Sequence, residues 1–278
     1  MDIVGLGKAG CAIAEMFRKY PQYKNIYKID VGIEGDKCFS VAKRENPEDY
    51  EKNIPVLEQF FSDAGEEILF IIAGSGNIST MSLGILEQIK DRKINIIYIK
   101  PSSQTLIGQK RILDKITFGI LQEYTRSGLF ETLCVIDNQK VIDHIGSISV
   151  LNYWNRINEF ISSSIHFINV FNNTEEVYGV EGESPPTNRI RTIGILDPQT
   201  SEEKMFFDLD MIKEKRYFYA FRKELLAEDS GLLKNIETKL EAKKETWLTS
   251  MTYRLYVSSY DKDYGYCVHL TSKVQEET

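Results

Sequence analysis

The sequence has little of what builds metal centres or secreted scaffolds. Its four cysteines are Cys11, Cys38, Cys134 and Cys267, and no two form a C-x-x-C pair. That spacing speaks against both a disulfide framework and a zinc ribbon, so free buried thiols and no metal centre are expected. Only three histidines occur, His144, His166 and His269, and their scatter reads as packing or surface use rather than catalysis. Basic residues are in deficit: 34 Lys and Arg stand against 41 Asp and Glu, for a net charge of −7. Nucleic acid is therefore not expected as the main partner, because a phosphate backbone demands a basic face. No apolar run reaches 18 residues, so no membrane span is expected. Met1-Asp2 leads at once into an apolar stretch, which leaves no room for a signal peptide and sets a cytoplasmic expectation.

What is present is an alternation of short apolar runs and amphipathic stretches. Asp2–Gly5, Asn25–Asp30, Ile68–Ile72, Asn95–Ile99 and Thr132–Ile136 read as strands, and Cys38–Ala42 is a further candidate. Ile68–Ile72 is apolar throughout, as a strand buried on both faces of a parallel sheet must be. Gly10–Tyr20, Thr80–Lys90 and Leu106–Tyr124 carry helical periodicity between them. A further helix is expected from the loop at Arg44–Asp49 to about Phe61, with Pro55 inside it to kink or divide it. This order predicts an α/β, doubly wound, mostly parallel sheet over residues 1–147. Ile148–Phe171 reads as a long central helix.

The pattern changes after Phe171. Polar loops fill 172–176 and 181–186, and strands are expected at Ile190–Leu196 and Lys204–Leu209. Lys213–Lys244 reads as helical and highly charged, broken near Ser230-Gly231. Thr249–Val257 and Tyr266–Ser272 alternate and are expected to pair as a hairpin. Residues 172–278 thus form a smaller α+β second domain, after the 1–147 domain and the 148–171 helix.

Two glycine-rich loops carry the chemistry. Gly5-Leu6-Gly7-Lys8-Ala9-Gly10 fits G-x-G-x-x-G between a strand and a helix. Glycines let backbone N–H groups approach a phosphate, and a helix N-terminus favours its charge. Gly74-Ser75-Gly76-Asn77-Ile78-Ser79-Thr80 repeats the logic after the buried strand. Two such loops on one sheet can grip one polyphosphate from two sides. Asp30 ends the second strand, where a dinucleotide-binding domain holds a ribose hydroxyl, so a NAD-dependent oxidoreductase stays open. A non-catalytic interaction protein with a degenerate site is the other alternative.

The ordered series of motifs resembles the tubulin/FtsZ family of filament-forming GTPases. Ile3–Cys11 resembles its first phosphate loop, Asn46-Pro47-Glu48 the loop near the γ-phosphate, and Phe70–Gly76 the strand entering its signature loop. Lys100-Pro101, Gly108 and Arg111 resemble the lysine-proline turn and the arginine-bearing helix beyond it. Leu133–Asn138 resembles the strand and asparagine that approach the guanine, and Trp154 with Asn158-Glu159 the base-contacting part of the central helix. The resemblance implies GTP or GDP, with Mg²⁺, held by Gly7, Lys8, Ala9, Gly10, Cys11, Gly74, Ser75, Gly76, Asn77, Ser79, Arg111, Asn138, Trp154 and Asn158. It also implies a head-to-tail homo-oligomer or filament. Departures are as specific. Asn77, Ile78, Thr80 and Met81 stand at glycine or threonine positions of the signature loop, and Ile107 stands where the family has a ribose-binding glutamate. In the stretch Glu181–Arg189 the register puts proline and arginine where two catalytic aspartates are expected, so GTP hydrolysis is expected to be weak or lost, with Glu181 and Glu183 as substitutes only if the loop is reshaped. Ile78 and Met81 add apolar area either to the domain interior or to a subunit contact.

Overall fold

The computed structural model describes residues 1–101, 106–180, 182, 185–243 and 249–275. The chain divides into two compact units, Met1–Ser162 with Val274–Thr278, and Ser163–Lys273.

The first unit contains β1 (Asp2–Leu6), α1 (Gly7–Met16), β2 (Ile26–Val31), β3 (Cys38–Val41), α2 (Pro47–Lys52), β4 (Glu67–Ala73), α3 (Ser82–Glu87), β5 (Lys93–Lys100), α4 (Gln109–Arg126), β6 (Thr132–Asp137) and α5 (Asn138–Ile145). Its strands lie in the order β3-β2-β1-β4-β5-β6, all parallel. Ile68–Ile72 and Ile96–Ile99 are almost wholly excluded from solvent, which accounts for their unbroken apolar runs. Local signals place the helices. Pro47 opens α2 with Glu48 and Asp49 in its first turn, where the missing proline N–H costs nothing and the helix dipole favours acid. Asp137 caps α5 by accepting from the Gln139 N–H at 2.7 Å.

α6 (Tyr153–Asn172) begins in the first unit and ends in the second. The second unit continues with β7 (Tyr178–Val180), β8 (Ile190–Leu196), β9 (Glu203–Met205), β10 (Glu214–Phe221), α7 (Lys223–Glu228), α8 (Leu232–Glu241), β11 (Ser250–Val257) and β12 (Tyr264–Thr271). Its strands run β8-β12-β10-β11-β7, with β9 paired to β8. Phe167 and Phe171 of α6 stack on Tyr266 and Phe218 from one side. Ile236 and Leu240 of α8 join Tyr217, Tyr219, Leu255 and Cys267 in a separate buried cluster.

Three local expectations are corrected. Lys213–Lys244 is not helical throughout, because Glu214–Phe221 is a strand. β10 is buried along nearly its whole length between β12 and β11, and both faces are apolar or paired, so it has no one-sided stripe to mark it. For the same reason β11 and β12 do not form a hairpin. They flank β10, and the link across its end is fixed by the Ser258 N–H donating to Phe221 O and the Arg222 N–H donating to Asp263 Oδ1. The helix expected to reach Phe61 stops at Lys52, and Pro55 lies beyond it rather than inside it.

Around α1 the close packing is between backbones. A Cβ on Gly5 would lie 2.5 Å from the Gly10 carbonyl oxygen, and one on Gly10 would fall on the Ile71 carbonyl oxygen. These glycines let α1 press against β1 and β4. Gly10→Ala is expected to destabilise the protein by about 1–3 kcal/mol, since neither opposing group is a flexible side chain. Urea unfolding checks this; an unchanged midpoint would refute the packing role.

Candidate functional site

The carboxyl ends of the first unit's strands align. Leu6 pairs in register with Ile29 and Ile72, Ala73 with Ile99, and Lys100 with Asp137. The residues that follow, Gly7, Gly74, Pro101 and Asn138, therefore share one edge of the sheet. Strand order reverses between β1 and β4, with β2 and β3 on one side and β5 and β6 on the other. In open parallel sheets such a switch point leaves a crevice for a ligand beyond the strand ends. Both glycine loops stand there.

In the first loop only Gly7 has a left-handed conformation, φ +71°, which a side chain would strain. It opens α1, whose first turn has no side-chain cap and no acidic residue. Its amide donors thus form an end receptive to an anion. Lys8 is exposed, Ala9 half-buried and Gly10 buried. Cys11 points inward: its thiol donates to Gly5 O at 3.3 Å and contacts Ile29 O at 3.5 Å. Burial, aided by the nearby Asp30 carboxylate, pushes this thiol up to about 12, so it stays protonated. Its side chain therefore serves the packing of β1 and β2.

The second loop closes on itself. After Gly76 the chain makes a short 3₁₀ turn, Asn77–Met81. The Ser79 hydroxyl donates to Gly74 O at 3.1 Å and approaches Gly76 O. Thr80 donates to Pro47 O and Asn77 O, and the Asn77 amide donates to Glu45 O. These polar side chains thus tie the turn to itself and to the loop entering α2. Ile78 and Met81 are buried, and the Ile78 Cγ2 methyl lies 2.8 Å from where a Gly7 Cβ would stand. The two loops accordingly meet at Gly7 and Ile78.

Beneath Gly74 lies a polar group that sequence reasoning missed. Tyr98 Oη donates to Asp114 Oδ1 at 2.7 Å, and Lys100 Nζ is 3.6 Å from Asp114 Oδ2. Asp114 is buried, and Lys100 also covers the Phe118 ring at 4.2 Å. A Cβ on Gly74 would collide with both Tyr98 Oη and Asp114 Oδ1. Gly74 is glycine because this network underpins the loop. Asp114 gives no sequence signal, since it follows the exposed, basic first turn of α4 and precedes Lys115.

The remaining residues named from the sequence lie on other elements. Arg111 is exposed on the first turn of α4, a helix that packs against the 77–81 turn. Asn138 is half-buried as the first residue of α5, beside Asp137, whose carboxyl burial raises above its ordinary range. Trp154 is 61% exposed and packs edge-on against Tyr153, and Asn158 follows one turn later on α6. Ile107, Val150 and Leu151 are also exposed. Asp30 is half-buried, its carboxylate accepting from the Val31 N–H at 2.8 Å. Glu181 and Glu183 lie outside the described residues, while Pro185 and Pro186 are exposed. Among the described residues no helix is long and apolar enough to cross a membrane.

No protein-family model and no curated protein matches the sequence. Solved structures do match. A GTPγS-form protofilament of TubZ from Bacillus thuringiensis serovar israelensis superposes with a TM-score of 0.70 at 15% identity, over 97% of this chain and 86% of that one. CetZ2 from Haloferax volcanii, a GTPγS-bound protofilament, gives 0.63 at 12% identity, over 97% and 92%. An empty FtsZ dimer from M. jannaschii gives 0.61 at 11% identity, over 97% and 87%. The expected architecture is thereby met across nearly the whole chain, and this protein has the tubulin/FtsZ fold in a widely divergent sequence.

Proposed function

We propose that this protein is a guanine-nucleotide-binding subunit that assembles head to tail and hydrolyses GTP weakly or not at all. The observation that carries the proposal is the meeting of the Gly7–Gly10 and Gly74–Ser79 loops at the β1/β4 switch point. The fold adds support, because the similar TubZ and CetZ2 structures are protofilaments in GTPγS form. In this reading the phosphates lie against the uncapped start of α1, with Lys8 and Arg111 supplying positive charge. Mg²⁺, where bound, would neutralise phosphate oxygens. Asn138, Trp154 and Asn158 face the base. The side chain of Cys11 has no part in it; only its backbone N–H is offered.

Weak hydrolysis follows from two observations. Positioning the attacking water supplies much of the rate in phosphoryl transfer. Prolines occupy the stretch where paired aspartates are expected, and the hydroxyls of Ser79 and Thr80 already donate to backbone carbonyls. In this architecture the contact between subunits is heterologous, so it propagates unless closed.

Lys8→Glu leaves every packing contact in place and reverses a charge beside the phosphates. It should weaken GTP binding by at least about tenfold, roughly 1.4 kcal/mol, with an unchanged melting temperature. Calorimetry that finds equal affinities, or NAD bound in preference to GTP, would refute the assignment. Phosphate release at high protein concentration should stay near background, and a turnover that disappears in Glu183→Ala would refute the weak-hydrolysis claim. Concentrated protein should sediment with GTP; monomers with and without nucleotide would contradict the assembly.

A further inference from the structure

The second unit holds a buried cluster that neither the phosphate loops nor the assembly account uses. Cys267 and His269 alternate on β12 and so face the same side of the sheet. Glu203 and Met205 are related in the same way on β9. Gly194 of β8 stands in register with both Cys267 and Met205, and a Cβ there would lie 2.6 Å from Met205 Sδ. Absence of a side chain at Gly194 lets the thioether cross to within 3.4 Å of Cys267 Sγ. One ligand atom from each of Glu203, Cys267 and His269 falls within 4.8 Å of the others.

The two oxygens of Glu203 differ in their surroundings. Oε1 accepts from Tyr217 Oη at 2.9 Å and from Lys243 Nζ at 2.6 Å. Oε2 is 2.8 Å from His269 Nε2, near enough for an ion pair, yet that nitrogen is buried with no hydrogen-bond partner. A carboxylate oxygen, an imidazole nitrogen and a sulfur thus converge at a largely buried point, a donor set that suits a transition-metal ion. A purely structural ion-pair network explains Lys243 and Tyr217, but it leaves His269 Nε2 orphaned.

We propose that Glu203 Oε2, Cys267 Sγ and His269 Nε2 bind a borderline or soft transition-metal ion such as zinc(II), with Met205 Sδ at the fourth position. The donor set decides the class: thiolate, thioether and imidazole select against magnesium and calcium. On binding, Cys267 forms its metal–sulfur bond and releases its S–H proton to solvent. Glu203 supplies a carboxylate oxygen and His269 the Nε2 lone pair, and any proton on either leaves to solvent with that of Cys267. Lys243 remains on the other Glu203 oxygen, where it offsets the excess negative charge of the ligands. Because the site is buried, the ion is taken up as the second unit folds. The ligands come from two strands at alternate positions, which is why no C-x-x-C signature announces them.

The full chain, stripped with a chelator and refolded with zinc(II), should retain one zinc per molecule after dialysis. Refolded with cobalt(II), it should show a thiolate-to-metal charge-transfer band in the near ultraviolet. Cys267→Ser should abolish that band, and Cys38→Ser should leave it intact. His269→Gln should lower zinc affinity by more than the roughly 10–100-fold that loss of a supporting residue costs. Should Cys267→Ser fail to fold, His269→Gln decides alone. No retained zinc, cobalt bound without the charge-transfer band, or unchanged affinity in His269→Gln would each overturn the proposal.

Discussion

The candidate site depends on one close approach of backbones. Gly5, Gly10 and Ile71 bring β1, α1 and β4 together with no side chain between them. That approach aims the start of α1 at the crevice where the strand order reverses. It also sets the second glycine loop beside the first, since β1 and β4 are in-register neighbours. Gly7, the one loop glycine there with positive φ, then turns the chain from strand to helix so that free N–H groups face outward. The three glycines of G-x-G-x-x-G therefore have unequal tasks: two are packing residues and one shapes the turn from β1 into α1.

The second loop shows how a site can diverge without losing its place. Asn77, Ser79 and Thr80 replace conformational freedom with hydrogen bonds to Glu45, Gly74 and Pro47 carbonyls. Ile78 fills space against Gly7, and Met81 is fully buried. A loop held in this way is stiffer than a run of glycines. The Tyr98–Asp114–Lys100 group supports it from below, with the buried Asp114 carboxyl hydrogen-bonded by Tyr98 and approached by Lys100.

Much of the first unit was legible in the sequence because its physics is local. Continuous apolar runs such as Ile68–Ile72 have one explanation in a parallel sheet, and glycine loops between strand and helix have few. The second unit was less legible. Glu214–Phe221 is central and buried on both faces, so its charged start, Glu214-Lys215-Arg216, looks helical until the Glu214–Arg216 pair at 2.6 Å is seen. The insertion of β10 between β11 and β12 is a long-range fact that no turn signal between 257 and 264 encodes. At the site, glycine positions were readable, but the inward turn of Cys11 and the burial of Asp114 were not. Both depend on which way a side chain faces after the sheet has formed.

The central claim is that the two loops hold one nucleotide between them. A crystal or cryo-electron-microscopy structure of the full chain with GTPγS tests it most directly. The account predicts the triphosphate lying between Gly7–Gly10 and Gly74–Ser79, with the base toward Asn138 and Trp154. Nucleotide bound elsewhere, or a dinucleotide with its ribose on Asp30, would contradict it.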